Sequence, residues 1–425
     1  MKKIIASLVL VLFATLGAMA SNSDTDSDSE EGKVNVVIGE QGNEADVEKA
    51  FSDNVPEDKS LDGMPHFAIV GKYKRFYLGI GTNFKALGAF DWGAEMQNIT
   101  DFVPSSMTPT EPGNGAQTRF SMQASSIYLN FVAMPDNPNK TSLFFSGNFK
   151  GNNNGFKMSH FYIKYKGVKM GYTHSSFTDN NSVPFVFDDQ GPLGQASIKL
   201  ASIVWIKEFD KGFSTTVGLD APSINMTEDT TFVRAVNQRM PSIPLCLQYE
   251  NSSAHVRLSG LLRLLQYHDI KAQQNENKIG WGTQLTASYS PMSNFKLYGG
   301  TVYGKGISRY IQDCTGLQLD IVNENSNPSQ YYTLPVWSYH AGLEFNFSEK
   351  IQSNLVYSSV NCLYDDRKSV SETNYYRGQY LTANLLYNVN YFVKMGVEYN
   401  WGYRKTCGNK VDQMNRIECM FFVEI

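Results

Sequence analysis

From about Phe67 to the end of the chain, apolar and polar residues alternate in stretches of roughly 9 to 16 residues. A period of two is typical of β-strands that have one apolar and one polar face. In residues 336–347, for example, Trp337 and Tyr339 belong to the apolar set, and Ser338 lies between them in the polar set. Such strands can form a large soluble β-protein or a barrel whose apolar face meets lipid.

The links between these stretches distinguish the two possibilities. Short links and longer, Gly- and Asn-rich links alternate regularly along the chain, as in a membrane barrel with turns on one side and loops on the other. A soluble β-sandwich has no reason to keep this order. The sequence therefore predicts an all-β fold, a transmembrane antiparallel up-and-down β-barrel of about sixteen strands. These strands are predicted to begin near residues 76, 117, 142, 156, 168, 198, 213, 243, 254, 278, 294, 336, 350, 378, 391 and 413.

The alternation changes phase at one point in the chain. Phe120 and Met122 are apolar at even positions, whereas Ile127 and Leu129 are apolar at odd positions, which predicts a β-bulge near residues 125–126. The alternation also predicts that Trp205 faces the inside of the barrel.

The N-terminus has the pattern of an export signal. Lys2 and Lys3 precede an apolar run over residues 4–16 and the small-residue triplet at 18–20, which predicts a signal peptide over residues 1–20. No later apolar run approaches the length of about 18 residues that a membrane helix needs. The protein is therefore expected to be an integral protein of the bacterial outer membrane.

A strongly acidic leader follows the signal. Residues 21–60 carry twelve Asp or Glu and three Lys, a net charge of −9. Removing that and the +2 of the signal peptide from the formal −4 of the whole chain leaves +3 for residues 61–425. We expect residues 21–62 to be a mostly disordered leader in the periplasm, with one short helix conceivable over 43–51, and residues 63–425 to form the barrel.

Other classes of function lack their residue patterns. The charge and the export signal exclude nucleic-acid binding, and no catalytic motif, cofactor motif or metal-ligand spacing is present. The five cysteines are odd in number and widely spaced. A bridge between Cys314 and Cys407 is one possibility, and isolated thiols are the other.

Several segments resemble one family. They are QTRFS at 117–121, GNF at 147–149, HFY at 160–162, GYTHSSFTD at 171–179 and PFVFDDQGP at 184–192. In order and spacing they resemble the DcaP-like outer-membrane porins. This resemblance implies a homotrimer of sixteen-stranded channels that take up small organic solutes, in known cases anionic carboxylates. Two family positions that are commonly basic are not basic here, in the stretch 125–128 and at Ser159.

Inward-facing polar residues would determine the selectivity of such a channel. By alternation this set consists of Arg119, His160, Lys164, Lys169, Arg257, Arg263 and Lys394, with His340, Glu344 and Glu398 also inward. Cations are in modest excess, which favours anions. Each of these residues could also be an ordinary solvated side chain.

The link over 178–195 is the candidate constriction loop, because it has turn residues and carboxylates around an apolar centre. Its named residues are Asp179, Pro184, Phe185, Phe187, Asp188, Asp189, Gly191 and Pro192. Folded inward, it would bury Phe185 and Phe187 and bring its carboxylates near basic residues such as Arg119. The alternative is an exposed loop that packs on a neighbouring subunit.

The sequence thus predicts a channel for passive diffusion of small hydrophilic solutes, with a possible preference for organic anions. Its expected partners are those solutes, outer-membrane lipids and two further copies of the chain. The alternatives are a structural or adhesive surface protein and, with less support, a barrel hydrolase.

Overall fold

The computed structural model describes residues 36–39, 44–57, 64–65, 67–110, 115–228, 231–324, 327–365 and 370–425. The predicted signal peptide and the acidic stretch 21–35 lie outside the described residues. In the described part, no helix has the length and apolar character needed to cross a membrane.

Sixteen antiparallel strands form a closed barrel, as predicted. The last strand pairs with the first from Met414 opposite Gly93 to Glu424 opposite Asn83, so no open edge remains between them. The strands are β1 (Phe76–Gly93), β2 (Ala116–Ser121 and Ser126–Ala133), β3 (Thr141–Asn148), β4 (Lys157–Tyr165), β5 (Val168–His174), β6 (Lys199–Glu208), β7 (Phe213–Asp220), β8 (Ile243–Glu250), β9 (Ala254–Asp269), β10 (Gln274–Met292), β11 (Phe295–Lys305), β12 (Pro335–Asn346), β13 (Ile351–Cys362), β14 (Tyr375–Asn388), β15 (Val393–Thr406) and β16 (Val411–Glu424).

Short elements accompany the barrel. One helix, α1 (Glu44–Ser52), precedes it. Strand Val36–Gly39 pairs in parallel with strand Phe67–Val70, which in turn pairs with the start of β1. Strand Val233–Ala235 extends the sheet beside β9, and Ile321–Glu324 pairs with Asn327–Thr333.

The barrel has a turn end and a loop end. Short turns join β2 to β3, β4 to β5 and every later even strand to its successor, and the chain enters and leaves at this turn end. The links at the loop end include loop 1 (94–115), loop 2 (149–156), loop 3 (175–198), loop 4 (221–242) and loop 6 (306–334). The link between β9 and β10 is short, because β9 continues to Asp269 and β10 begins at Gln274.

The predicted bulge in β2 is present, since the strand is interrupted between Ser121 and Ser126 and its two parts pair with successive halves of β1. The prediction for Trp205 is wrong. Trp205 is 47% exposed on the outer face, opposite Val168 and Val217, because the inward phase of β6 falls on its even residues.

The strands of the barrel differ in length from one side to the other. Strands β3 to β8 have 7 to 10 residues, whereas β9 to β16 have 11 to 19. One side of the barrel is therefore a low wall, and the opposite side is a high wall.

Candidate functional site

Loop 3 connects β5 to β6 and lies inside the barrel. Its apolar side chains Phe177, Phe187 and Leu193 have no exposed surface, although a loop in water would expose them. Its polar groups bond inward-facing residues of β1, β9, β10, β12, β13, β14 and β15. The loop therefore crosses the lumen and is attached to the high wall.

The first attachment of loop 3 is a buried carboxylate. Asp179 accepts hydrogen bonds from Nε2 of His255, at 3.0 Å, and from the hydroxyl of Thr286. Burial alone would raise the pKa of Asp179, but the hydrogen bond from His255 and the charge of Arg257 outweigh it and lower the pKa to about 2. Arg257 also donates to the carbonyl of Ser176 at 2.7 Å.

The middle of loop 3 contacts β12 and β13 through its backbone. The amide of Gly194 donates to Oγ of Ser358 at 2.9 Å, and the hydroxyl of Ser338 donates to the Gly194 carbonyl at 2.7 Å. Pro184 lies against Gly342, where an added Cβ would come within 2.9 Å of the proline ring. A glycine in the wall thus permits the close approach of the loop.

The tip of loop 3 is held by charged groups of β1 and β15. The amide of Phe187 donates to Glu398 at 2.8 Å, and Nζ of Lys85 donates to the Phe187 carbonyl at 2.7 Å. Lys85 also forms an ion pair with Asp189 at 2.5 Å. Since Lys85 is 3% exposed in its side chain, this pair is buried.

Asp188 at the same tip is fully enclosed beside another acid. The hydroxyl of Tyr380 donates to it at 2.6 Å, and the amide of Gly191 donates at 2.8 Å. Burial and the nearby charge of Glu398 raise the pKa of Asp188 to about 7. The carboxyl group therefore changes its charge near neutral pH.

Loop 1 joins loop 3 in the lumen. The amide of Asp189 donates to the carbonyl of Thr100 at 2.9 Å, and Lys150 of loop 2 bridges Asp101 at 2.5 Å and Asp189 at 3.3 Å. Loop 6 also contacts loop 3, because the amide of Gln312 donates to the carbonyl of Gln195 at 3.0 Å.

The arginines of β2 and β16 hold loop 1. Arg416 is fully buried, pairs with Asp91 at 2.6 Å and donates to the carbonyl of Ile99 at 3.0 Å. Arg119 pairs with the same Asp91 at 2.5 Å, rather than with a carboxylate of loop 3. The inner wall near loop 3 thus holds both signs of charge in direct contact.

Several residues that were predicted to line the lumen form hydrogen bonds or ion pairs with other parts of the protein. Arg263 donates to the carbonyls of Gly306 and Ser223 and pairs with Asp320 at 2.9 Å. His160 is fully buried against Thr173, 2.8 Å from its hydroxyl. Arg257, Arg263 and His160 are therefore structural contacts in this arrangement.

Three predicted lysines lie nearer the turn end and are less enclosed. Lys164 donates to the carbonyl of Asp53, at 2.5 Å. Lys169 lies 5.7 Å from the ring centre of Tyr162, and Lys394 lies 5.8 Å from that of Phe422. Among the described residues, none of the three lysines has a carboxylate within ion-pair distance. Their side chains are half-buried, and so are more accessible than those of Arg257 and Arg263.

Sequence reasoning did not single out Lys85, Asp101, Lys150 or Arg416. Lys85 and Arg416 could have been found, because each occupies a polar position between apolar outward residues of its strand. Lys150 and Asp101 lie in loops, where alternation carries no information.

A second element occupies the lumen at the turn end. Residues 44–57 and 64–65, here called the inner segment, pack against the inward faces of β1 to β4. Their apolar side chains Val47, Ala50, Phe51 and Met64 form a cluster with Ala68 and Val70 of the strand Phe67–Val70, Tyr77 of β1 and Val132 of β2. Part of the region predicted as leader is thus folded against the inner wall.

Comparisons with known proteins agree with this architecture. A family profile described as a porin subfamily matches residues 88–419. The outer-membrane channel DcaP of Acinetobacter baumannii superposes with a TM-score of 0.72 at 15% identity, covering 83% of this chain and 99% of that one. No curated protein matches the sequence.

Two further solved structures share the fold. An anion-selective porin from Comamonas acidovorans has a TM-score of 0.50 at 10% identity, over 82% of this chain and 100% of the other. OmpF of Salmonella typhi, in complex with daunomycin, has a TM-score of 0.51 at 11% identity, over 83% and 98%. The profile and the barrel indicate an outer-membrane channel rather than an enzyme, and the chain belongs to the porin subfamily.

Proposed function

We propose that this protein is a channel for passive diffusion of small hydrophilic solutes, with loop 3 as its constriction. The observation that carries the proposal is the path of loop 3 across the lumen, attached to both the β9–β10 and the β1–β15 sides of the wall. A barrel of this size has room for water inside, so its permeability depends on what narrows it. Lys150 of loop 2 and Asp189 of loop 3, which keep some exposed side-chain surface, then lie at the narrow part.

Within this function we propose a preference for organic anions such as carboxylates. The accessible lysines Lys164, Lys169 and Lys394 near the turn end support it, because cations on a pore wall raise the local concentration of anions. The described anion selectivity of the Comamonas acidovorans relative points the same way. Arg257 and Arg263 contribute less to this preference, since their side chains are buried in contacts with loops.

We also propose a homotrimer in the outer membrane, with the N-terminus in the periplasm. Four of the six strands of the low wall, β3, β5, β7 and β8, have 7 or 8 residues, fewer than the about 9 to 11 of a bilayer crossing. Their outer faces carry exposed apolar side chains, among them Phe161, Met170 and Leu247. Neighbouring copies would cover this low wall, and cross-linking of the detergent-extracted protein distinguishes a trimer from a monomer.

Planar-bilayer recording tests the channel and its selectivity together. The parent protein should conduct, and its reversal potential in a salt gradient should show anion preference. Changing Lys169 and Lys394 to Glu should shift the reversal potential towards cations. Lys211→Glu, in an exposed turn at the same end, is the matched control and should leave it unchanged. Absence of conductance would overturn the channel, and cation preference of the parent would overturn the anion selectivity.

A further inference from the structure

The inner segment is attached to one quarter of the barrel wall. Asn54 donates to the side chain of Asn130 on β2 at 2.6 Å, and Tyr162 on β4 donates to the carbonyl of Asn54 at 3.1 Å. The hydroxyl of Tyr128 donates to the carbonyl of Met64 at 2.7 Å. These contacts all lie on inward faces of β2 and β4, so the segment is inside the barrel.

The same segment reaches the opposite side of the lumen. A carboxylate oxygen of Glu57 lies 3.7 Å from Nη1 of Arg257 on β9, and the Glu57 carbonyl accepts a hydrogen bond from Asn180 of loop 3. In a closed barrel of sixteen strands, β9 lies eight strands from β1 and is therefore across the lumen from it. The segment consequently spans the water path from wall to wall, below loop 3.

We propose that the inner segment is a gate that narrows the turn end of the channel and widens it when the segment leaves the wall. This inference rests on the proposed channel function. The described residues of the gate contribute no strand to the barrel sheet. The strand Phe67–Val70, which pairs with β1, stays in place when they leave, so the sixteen strands remain intact. Helix α1 has nine residues, too few to be stable without the apolar cluster, so release and unfolding of the helix occur together.

The gate is coupled to the constriction by a chain of hydrogen bonds. The Asn180 side chain that donates to Glu57 also accepts from Nε2 of Gln195 at 2.7 Å, and both residues belong to loop 3. Departure of Glu57 therefore removes a partner of loop 3 and of Arg257. The structure thus predicts that opening at the turn end also loosens the start of loop 3.

Releasing the helix by a charge tests the gate. Val47→Asp places a carboxylate in the buried cluster, whereas Ser52→Asp introduces the same side chain at an exposed position at the end of α1. Single-channel conductance should rise roughly twofold in Val47→Asp, because the conductance of a water-filled pore grows with its open cross-section. Ser52→Asp should conduct like the parent. Limited proteolysis at Lys49 reports independently whether α1 has left the wall.

Tethering the segment supplies the opposite test. In Asn54→Cys/Asn130→Cys, two side chains that already touch can form a disulfide, which should hold the gate closed. Conductance of the tethered protein should stay at or below that of the parent and rise on reduction, and Asn54→Cys alone serves as control. If proteolysis shows α1 released while conductance is unchanged, the gate is overturned. If parent and all variants fail to conduct, the proposed channel itself fails.

Discussion

Loop 3 and the inner segment both occupy the lumen, but they are held there by different forces. Loop 3 is attached by buried charged groups such as Asp179, Lys85 and Glu398, which bond its backbone or its carboxylates. The inner segment is attached by a small apolar cluster around Phe51 and by hydrogen bonds between uncharged groups, such as those of Asn54. Its ion pairs, such as the one between Lys74 and Asp46, lie near the surface.

The difference determines which of the two elements can move. Removing one partner of a buried ion pair leaves an unpaired charge in a dry site and costs about 3–5 kcal/mol, whereas exposed pairs contribute about 0–1 kcal/mol. Loop 3 should therefore remain fixed under conditions in which the inner segment leaves the wall.

Removal of the Asp179 carboxylate should have the largest effect on stability. Asp179→Ala leaves His255 and Thr286 without their acceptor beside Arg257, so the free energy of unfolding should fall by about 3–5 kcal/mol. Urea unfolding in lipid vesicles, followed by tryptophan fluorescence, measures the change.

Asp210→Ala is the control for this substitution, because Asp210 is exposed in a short turn and should change the midpoint little. The low pKa of Asp179 also determines how the stability of the protein changes with pH. Its stabilising contribution is present above the ordinary value of 3.8 and is lost as the pH falls towards 2. An Asp179→Ala protein as stable as the Asp210→Ala control would contradict the view that loop 3 is held by buried charge.

Asp188 should give a smaller effect with the opposite dependence on pH. Its pKa is raised from 3.8 to about 7, so between these values the folded protein holds a proton that the unfolded chain releases. Raising the pH through this window therefore lowers the free energy of unfolding, by about 1.4 kcal/mol for each pKa unit at most. The titratable groups whose charges act on it include Tyr380, Glu398, Asp101, Glu418 and Arg416.

Replacing Asp188 by Asn should remove that dependence, because the amide oxygen still accepts from Tyr380 but the amide has no acidic proton to release. Unfolding midpoints at about pH 6 and about pH 8 should differ less in Asp188→Asn than in the parent. Asp189→Asn is the useful comparison, since its carboxylate is paired with Lys85 and its loss should destabilise at both pH values. If the unfolding midpoint of Asp188→Asn depends on pH as it does in the parent, a group other than Asp188 causes that dependence.

The strands were predictable from the sequence because each strand separates lipid from water. That separation imposes the period of two at every position, and it determines strand number, the bulge in β2 and the inward direction of Arg119 and Lys394. A similar argument identified residues 178–195 as unusual, because apolar residues such as Phe187 need a covered surface.

The pairings inside the lumen were not predictable in the same way. Asp189 contacts Lys85 and Lys150, which are 104 and 39 residues distant in the chain, and Arg119 contacts Asp91 instead. Alternation specifies a face but not which residues of separate strands and loops lie at the same height. For the same reason the place of α1 inside the barrel could not be read from its nine residues, although a helix there was conceivable.

The smallest effect is expected for the ion pair that joins the inner segment to the turn before β1. Lys74 and Asp46 are 3.2 Å apart, with side chains 42% and 46% exposed, so water and salt weaken their attraction. A double-mutant cycle of Lys74→Ala and Asp46→Ala, read out as the rate of proteolysis in α1, should give a coupling free energy below about 1 kcal/mol that vanishes in high salt. A coupling as large as that expected for Asp179 would mean that charge, rather than the cluster around Phe51, holds the inner segment. The contrast between a fixed loop 3 and a movable inner segment would then no longer hold, because both would be attached by the same force.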